Sequence, residues 1–387
     1  MIMKHKNLFL SVIAFAAIAV VSACGSSSEP QDADNYTIYL DDEVDQTIYP
    51  SFVLGQIMNP NFDSEYFITA YINNPGAKVK LTIEANDLME QCIEEHVMAE
   101  SDSCFFYPVI KWKRDALLKA KQPGFINLSI ILEVNGEVKN RFNKKVEYRS
   151  VNECILAINY NSSQGEQVES SQSDDEAAEG EEQEGEEEEE ESSSDDGDMG
   201  FCCVMFVNED NPQIDKILAE ILSVDKSRQF IGEQGTDDDI INQMYWVWEY
   251  FANRDTRYSS ITNTSNSNDG SRNVESQYIR TFNEVVNNNQ ANCIDGTCML
   301  ASIYRKIGLD VNIVLVPGHA YLAVGLSDGS VQPLETTMMG NEGDPQSVFE
   351  QALEQGNQEY NEAVEKGEAD VYNVENCRQA GYKPLAE

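Results

Sequence analysis

A run of 35 residues from Gln164 to Asp198 carries 18 acidic side chains and no basic one, and no other feature constrains the fold as much. Like charges at that density extend a chain, and the segment offers almost no apolar area to bury. No core can pass through it, so the sequence predicts a separate body on each side. Both flanks, at roughly 160 and 190 residues, are long enough to enclose a core. The run also accounts for much of the net charge of −42. The remainder is moderately acidic, and with 41 % hydrophobic residues overall the flanks have the make-up of folded protein. Such a surface, lacking any basic stripe, repels phosphate backbones, which excludes nucleic acid as a partner. The run holds no calcium loop of EF-hand spacing. The nearest string, Ser265 to Gly270, begins with Ser and lacks the distal Glu.

The amino terminus reads as an address. Lys4 and Lys6 precede an apolar stretch from Leu8 to Val21 that is short for a membrane span, and Val21-Ser22-Ala23-Cys24 is followed by Gly25-Ser26-Ser27-Ser28. This resembles the lipobox of bacterial lipoproteins. The resemblance implies a signal peptide over residues 1–23, lipidation of Cys24 as the new first residue, and a flexible tether over 24–34. Gly25 lacks the retention signal of an Asp, so the expected location is the outer membrane facing the periplasm. That compartment permits disulfides. Eight cysteines follow Cys24, at 92, 104, 154, 202, 203, 293, 298 and 377. Six could pair if two remain thiols, and the favoured bridge is Cys92 with Cys104, which flank one acidic stretch.

Residues 35–160 alternate as strands do, for example in Tyr36-Thr37-Ile38-Tyr39-Leu40 and Phe125 to Val134, with turns at Asn73-Asn74-Pro75-Gly76 and Asn135-Gly136. The expected fold there is an all-β immunoglobulin-like sandwich. His96 lies in it without a partner constellation. Residues 161–199 are the predicted linker, and residues 200–387 a second, α+β domain. In that domain Thr236-Asp237-Asp238-Asp239 forms a capping box before an apolar helical face at Ile240, Met244, Val247 and Phe251. A helix from Cys293 to Ile307 ends at Gly308, and strands follow over Val311 to Val316, His319 to Leu326 and Val331 to Thr336.

Chemistry concentrates here. Cys293 opens its helix, where unpaired N–H groups and the positive end of the dipole favour a thiolate. His319, the one histidine after the acidic run, begins a strand and could pair with that thiol. Glu335 could hold the second ring nitrogen, provided that the hairpin between the strands turns on the three residues Ser327, Asp328 and Gly329. Leu326 then pairs with Ser330, and Glu335 stands on the face of His319 within diagonal reach, whereas a two-residue loop puts it on the other face. Asp295 reads as a first-turn carboxylate satisfying N–H groups, Cys298 as a buried small hydrophobe, and Trp246 and Trp248 as core. His96 and His319 lie in different domains and make no zinc ligand pair.

These residues resemble the transglutaminase-like superfamily of cysteine peptidases and acyltransferases. Cys293-x-Asp295 at a helix start, Ile307-Gly308 at its end, His319-Ala320 at a strand start and Glu335-Thr336-Thr337 on a later strand match its pattern over about 239–337, and the helix from Asp239 to Asn253 followed by Arg257-Tyr258 matches its preceding elements. Glu335 replaces the Asp of many members, and Tyr321 a Trp. The resemblance implies a papain-like fold and a Cys293-His319-Glu335 triad without a cofactor. It also implies a thioester intermediate on a protein or peptide substrate in the envelope, with hydrolysis favoured over amine transfer. The competing expectation is an inert envelope-binding scaffold.

Overall fold

The computed structural model describes residues 35–42, 44–56, 67–99, 104–158, 197–260 and 274–385. The signal peptide, Cys24, the tether and residues 161–196 of the acidic run lie outside these. In the first half the elements are β1 (Tyr36–Leu40), α1 (Pro50–Gln56), β2 (Ile68–Ile72), β3 (Lys78–Ile83), β4 (Cys92–Val97), β5 (Phe105–Phe106), α2 (Arg114–Lys119), β6 (Gly124–Val134), β7 (Glu137–Tyr148) and β8 (Glu153–Ile158). Two antiparallel sheets result, β4-β3-β6-β7 and β1-β2-β5. The Asn135-Gly136 turn joins the longest hairpin, β6 to β7. Two short helices, α1 and α2, interrupt the half that alternation alone marked as all-β. Cys92 and Cys104 do not bridge. Cys92 Sγ faces the core and the Val109 carbonyl at 3.2 Å, while Cys104 precedes a strand of the other sheet, and both are free thiols.

The second half runs β9 (Gly197–Asp198), a 3-10 turn over Gly200–Phe206, α3 (Pro212–Val224), α4 (Asp237–Ala252), β10 (Arg257–Tyr258), β11 (Val274–Tyr278), α5 (Phe282–Asn288), β12 (Gln290–Ala291), α6 (Cys293–Lys306), β13 (Val311–Val316), β14 (His319–Gly325) and β15 (Val331–Leu334). It closes with a 3-10 turn over Thr336–Gly340, α7 (Pro345–Lys366), β16 (Asp370–Asn373) and α8 (Val374–Gln379). The 16-residue α4 begins with the expected capping box, Thr236 and Asp239 each accepting from the other's backbone N–H.

The two halves are not the separate bodies expected from the charge pattern. β8, from before the acidic run, is the central strand of a sheet ordered β11-β8-β9, and Ile158 pairs with Gly197. The described residues on either side of the run therefore lie side by side, so it sets no distance between the halves. Its last residues belong to the fold: Asp198 accepts from the Tyr372 hydroxyl at 2.7 Å and from the Gly200 N–H at 2.9 Å. A single hydrophobic cluster takes residues from both sides, including Leu54, Cys154, Met205 and Leu300. The reason is physical: β8 offers two ladder edges, and both are taken by strands from after the run, β9 and β11.

In the second half α6 packs on an antiparallel sheet ordered β15-β14-β13-β16. Side chains alternate across that sheet with period two. Ile313, Ala320, Leu322 and Val324 join the main core with α6, whereas Val314, Tyr321 and Ala323 pack with Tyr360 of α7 on the other face. Gly356 sets how closely α7 approaches: a Cβ there would meet the Leu334 nitrogen and Pro333 carbon at 3.0 Å and the Glu335 nitrogen at 3.1 Å. The Glu335 N–H also donates to the Ala352 carbonyl of α7. Gly356→Ala must push helix and strand apart, and a loss of about 1–3 kcal/mol is expected, read as a lower denaturation midpoint in urea. No helix among the described residues is long and apolar enough to cross a membrane.

Candidate active site

The helix that carries Cys293 is capped before it starts. The Asn292 side chain accepts from the Asp295 N–H at 2.9 Å, and the Asp295 carboxylate accepts from the Asn292 N–H at 3.0 Å. Asp295 is fully buried and also takes the Arg280 N–H at 2.7 Å and the Arg280 guanidinium at 2.5 Å. Burial pushes its pKa up, against the pull of these donors. Every oxygen contact of Asp295 serves the helix start and its neighbour, so it positions Cys293 and takes no place beside the imidazole. The parallel pair β10-β12 sets Tyr258 opposite Ala291, two residues before Cys293. The Tyr258 hydroxyl is pushed up by burial and then by the neighbouring Cys293 and Glu335, and this half-exposed ring stands on the rim of the site.

His319 is delivered by the turn at Pro317-Gly318. Gly318 has φ +74°, a backbone conformation that suits glycine, and Val316 pairs directly with His319 across it. On the following hairpin Leu326 N donates to the Ser330 carbonyl, and the register runs Gly325 to Val331 and Leu322 to Leu334. This is the three-residue loop, the register that sets Glu335 on the His319 face. His319 Nε2 and Glu335 Oε2 stand 2.6 Å apart. The other Glu335 oxygen accepts from the Thr337 N–H at 2.8 Å and the Thr337 hydroxyl at 2.5 Å. The fully buried carboxylate is thus held at both oxygens.

The electrostatics follow from these contacts. The His319 pKa is pushed up to about 10, first by its hydrogen bond to Cys293 and next by that to Glu335, with burial opposing. Burial works to raise the Glu335 pKa, but the hydrogen bonds from His319 and Thr337 win and hold it below the ordinary carboxylate value. All three residues singled out in the sequence therefore meet at one imidazole, Cys293 from α6, His319 from β14 and Glu335 from the end of β15.

One further group meets them that sequence reasoning did not find. Glu359 of α7 brings Oε2 to 3.9 Å from His319 Nε2, and that oxygen is buried without a hydrogen-bond partner. Burial raises the Glu359 pKa, the Gln355 side chain opposes, and the neighbouring Glu335 raises it further. His319, Glu335 and Glu359 bring ligand atoms within 4.8 Å of one another, a set that could hold a metal ion. The 2.6 Å separation of the first two fits a shared proton better: two zinc ligands at bond lengths of about 2.0–2.1 Å and tetrahedral angles would stand roughly 3.3 Å apart.

His319, Glu335 and Glu359 line a cleft of about 540 Å³ together with Glu362, Lys366 and Glu368. Four carboxylates against the Lys366 ammonium and the protonated His319 make it negative. A larger cleft, about 760 Å³, lies by Gly308 at the far end of α6 and contains none of the three residues. The remaining sequence expectations place simply. Cys298 is buried one turn along α6, Trp248 is core and Trp246 half-buried, and His96 stacks on Phe106 at 5.3 Å between ring centres.

Comparison with known proteins adds no relative: no family model matches the chain, and no curated protein or solved structure matches it significantly.

Proposed function

We propose that the protein is a transglutaminase-like thiol enzyme that cleaves amide or peptide bonds in the cell envelope, anchored there through lipid on Cys24. The observation that carries this reading is the single imidazole of His319, which stands 2.6 Å from a buried carboxylate oxygen of Glu335 and whose pKa Cys293 and Glu335 both raise. In the proposed cycle the Cys293 sulfur attacks the substrate carbonyl carbon, and the oxyanion forms next to the helix-start N–H of Cys293. Protonated His319 gives its proton to the departing amine nitrogen as the C–N bond breaks, leaving a thioester. His319 then takes a proton from water, the water oxygen attacks the thioester, and the acid is released with Cys293 restored. Glu335 keeps the ring aligned throughout.

No cofactor enters this cycle. Its substrates would be envelope proteins or peptides. The second step decides the reaction class, since an amine in place of water gives transfer instead of hydrolysis, and hydrolysis is the outcome we propose. The test is incubation of the protein with envelope extract and a labelled primary amine, with Cys293→Ala alongside. New fragments formed only by the wild type are the expected result. Label incorporated into protein would replace hydrolysis with transfer, and neither product would leave the inert scaffold as the better description.

A further inference from the structure

Beneath the catalytic helix lies a group of thiols for which the proposed reaction has no use. Cys154 sits in β8, Cys202 and Cys203 in the turn Gly200–Phe206, and Cys298 in α6, all at 2 % exposure or less. Cys154 Sγ stands 3.8 Å from Cys203 Sγ, across 49 positions of sequence. Cys298 Sγ turns instead to the Cys203 carbonyl, at 3.7 Å. Burial pushes the Cys154 and Cys298 thiols well above their ordinary value, with neighbouring sulfurs adding to it. Buried neutral thiols of this kind are neither nucleophiles nor ready metal ligands. Side by side, two of them are the reduced form of a bond.

We propose that Cys154 and Cys203 form a disulfide that ties β8 to the turn Gly200–Phe206 and closes the acidic run into a covalent loop. Bonded sulfurs lie about 2.05 Å apart, so closure requires a shift of under about 2 Å, within reach of side-chain rotation. The two backbones are already joined, since β8 pairs with β9 and β9 leads directly into the turn through the Gly200 N–H on Asp198. A cross-link here also closes a long loop, and the longer the loop the more freedom the cross-link removes from the unfolded chain. Each thiol gives up one proton and one electron as the S–S bond forms, and the oxidant is a small-molecule or protein disulfide, reduced in turn to two thiols. Both sulfurs are inaccessible in the finished fold, so the exchange takes place during folding.

The test uses the full chain, denatured, reduced and refolded in a mixture of oxidised and reduced glutathione, then alkylated with N-ethylmaleimide in denaturant. A Glu-specific endoprotease cuts after Glu153, Glu166, Glu191 and Glu209, so Cys154 and Cys203 fall in different peptides. Mass spectrometry is expected to find these two peptides linked, the link lost on reduction, retained in Cys202→Ser and lost in Cys203→Ser. Recovery of both peptides separately with alkylated cysteines overturns the proposal, as does a link from either residue to Cys298 or Cys377. The fragment spectrum of the wild-type pair locates the bond between Cys154 and Cys202 or Cys203, so the test stands even where a variant does not fold.

Discussion

Cys293→Ala is expected to remove the fast phase of alkylation by iodoacetamide at pH 6 and to lower amide cleavage by on the order of 10⁴-fold or more. The expectation rests on how differently the cysteines are placed. Cys154, Cys202, Cys203 and Cys298 are buried to within 2 %, and burial raises the thiols of Cys154, Cys202 and Cys298 well above their ordinary value. Cys377 is pushed up to about 11 by the same cause. Among the described residues, Cys293 combines partial exposure and a helix start with an influence on an imidazole that Glu335 holds at Nε2. Peptide mapping of the alkylated wild type should therefore place the early label on Cys293, and His319→Ala should slow it. Wild-type labelling at Cys293 no faster than at Cys104, another half-exposed thiol, would remove the activated nucleophile on which the enzyme reading depends.

The cluster of Cys293, His319 and Glu335 was legible because each of its members is specified locally. Asn292 and Asp295 cap a helix within four residues of chain. His319 follows a Pro-Gly turn, and the register that brings Glu335 to it depends only on the length of one hairpin loop. Glu359 was not legible, because nothing near it in sequence says that α7 will cover the sheet face on which His319 and Glu335 stand. That placement follows from Gly356 and from apolar residues such as Tyr321 and Tyr360, which are distant in the chain. The union of the two halves was hidden for a related reason. A charge run shows where no core can pass, but it does not show that the strands bordering it pair with each other, as Ile158 and Gly197 do. β4 escaped notice because Glu94, Glu95 and His96 interrupt its alternation, and only its pairing with β3 makes it a strand. Local chemistry was therefore easier to read than the long-range packing that surrounds it.

Glu335→Gln should leave the fold intact and yet change how stability and rate depend on pH. The amide can still accept from Thr337, so the end of β15 keeps its contacts, but the charge that helps to hold the His319 proton is gone. The sign follows from linkage. The His319 pKa is raised from 6.5 to about 10 in the fold, so its contribution to stability is fully present below 6.5 and is lost as pH rises through about 10. The Glu335 pKa is lowered, so its contribution is present above the ordinary carboxylate value and is lost as pH falls through the lower, folded one. The difference in Tm between wild type and Glu335→Gln should thus be widest near pH 6 and should shrink steadily toward pH 10. Amide cleavage should fall by roughly 10²- to 10⁴-fold, with the alkaline limb of its pH profile moved to lower pH, because His319 then loses its proton more easily. Glu359 supplies an internal check. Its Oε2 is the next carboxylate oxygen, 3.9 Å from His319 Nε2, so Glu335→Gln with Glu359→Gln should move that limb further than Glu335→Gln alone. A Tm difference independent of pH, or an alkaline limb that stays in place in both variants, would mean that Glu335 supports the strand end and does not hold the imidazole.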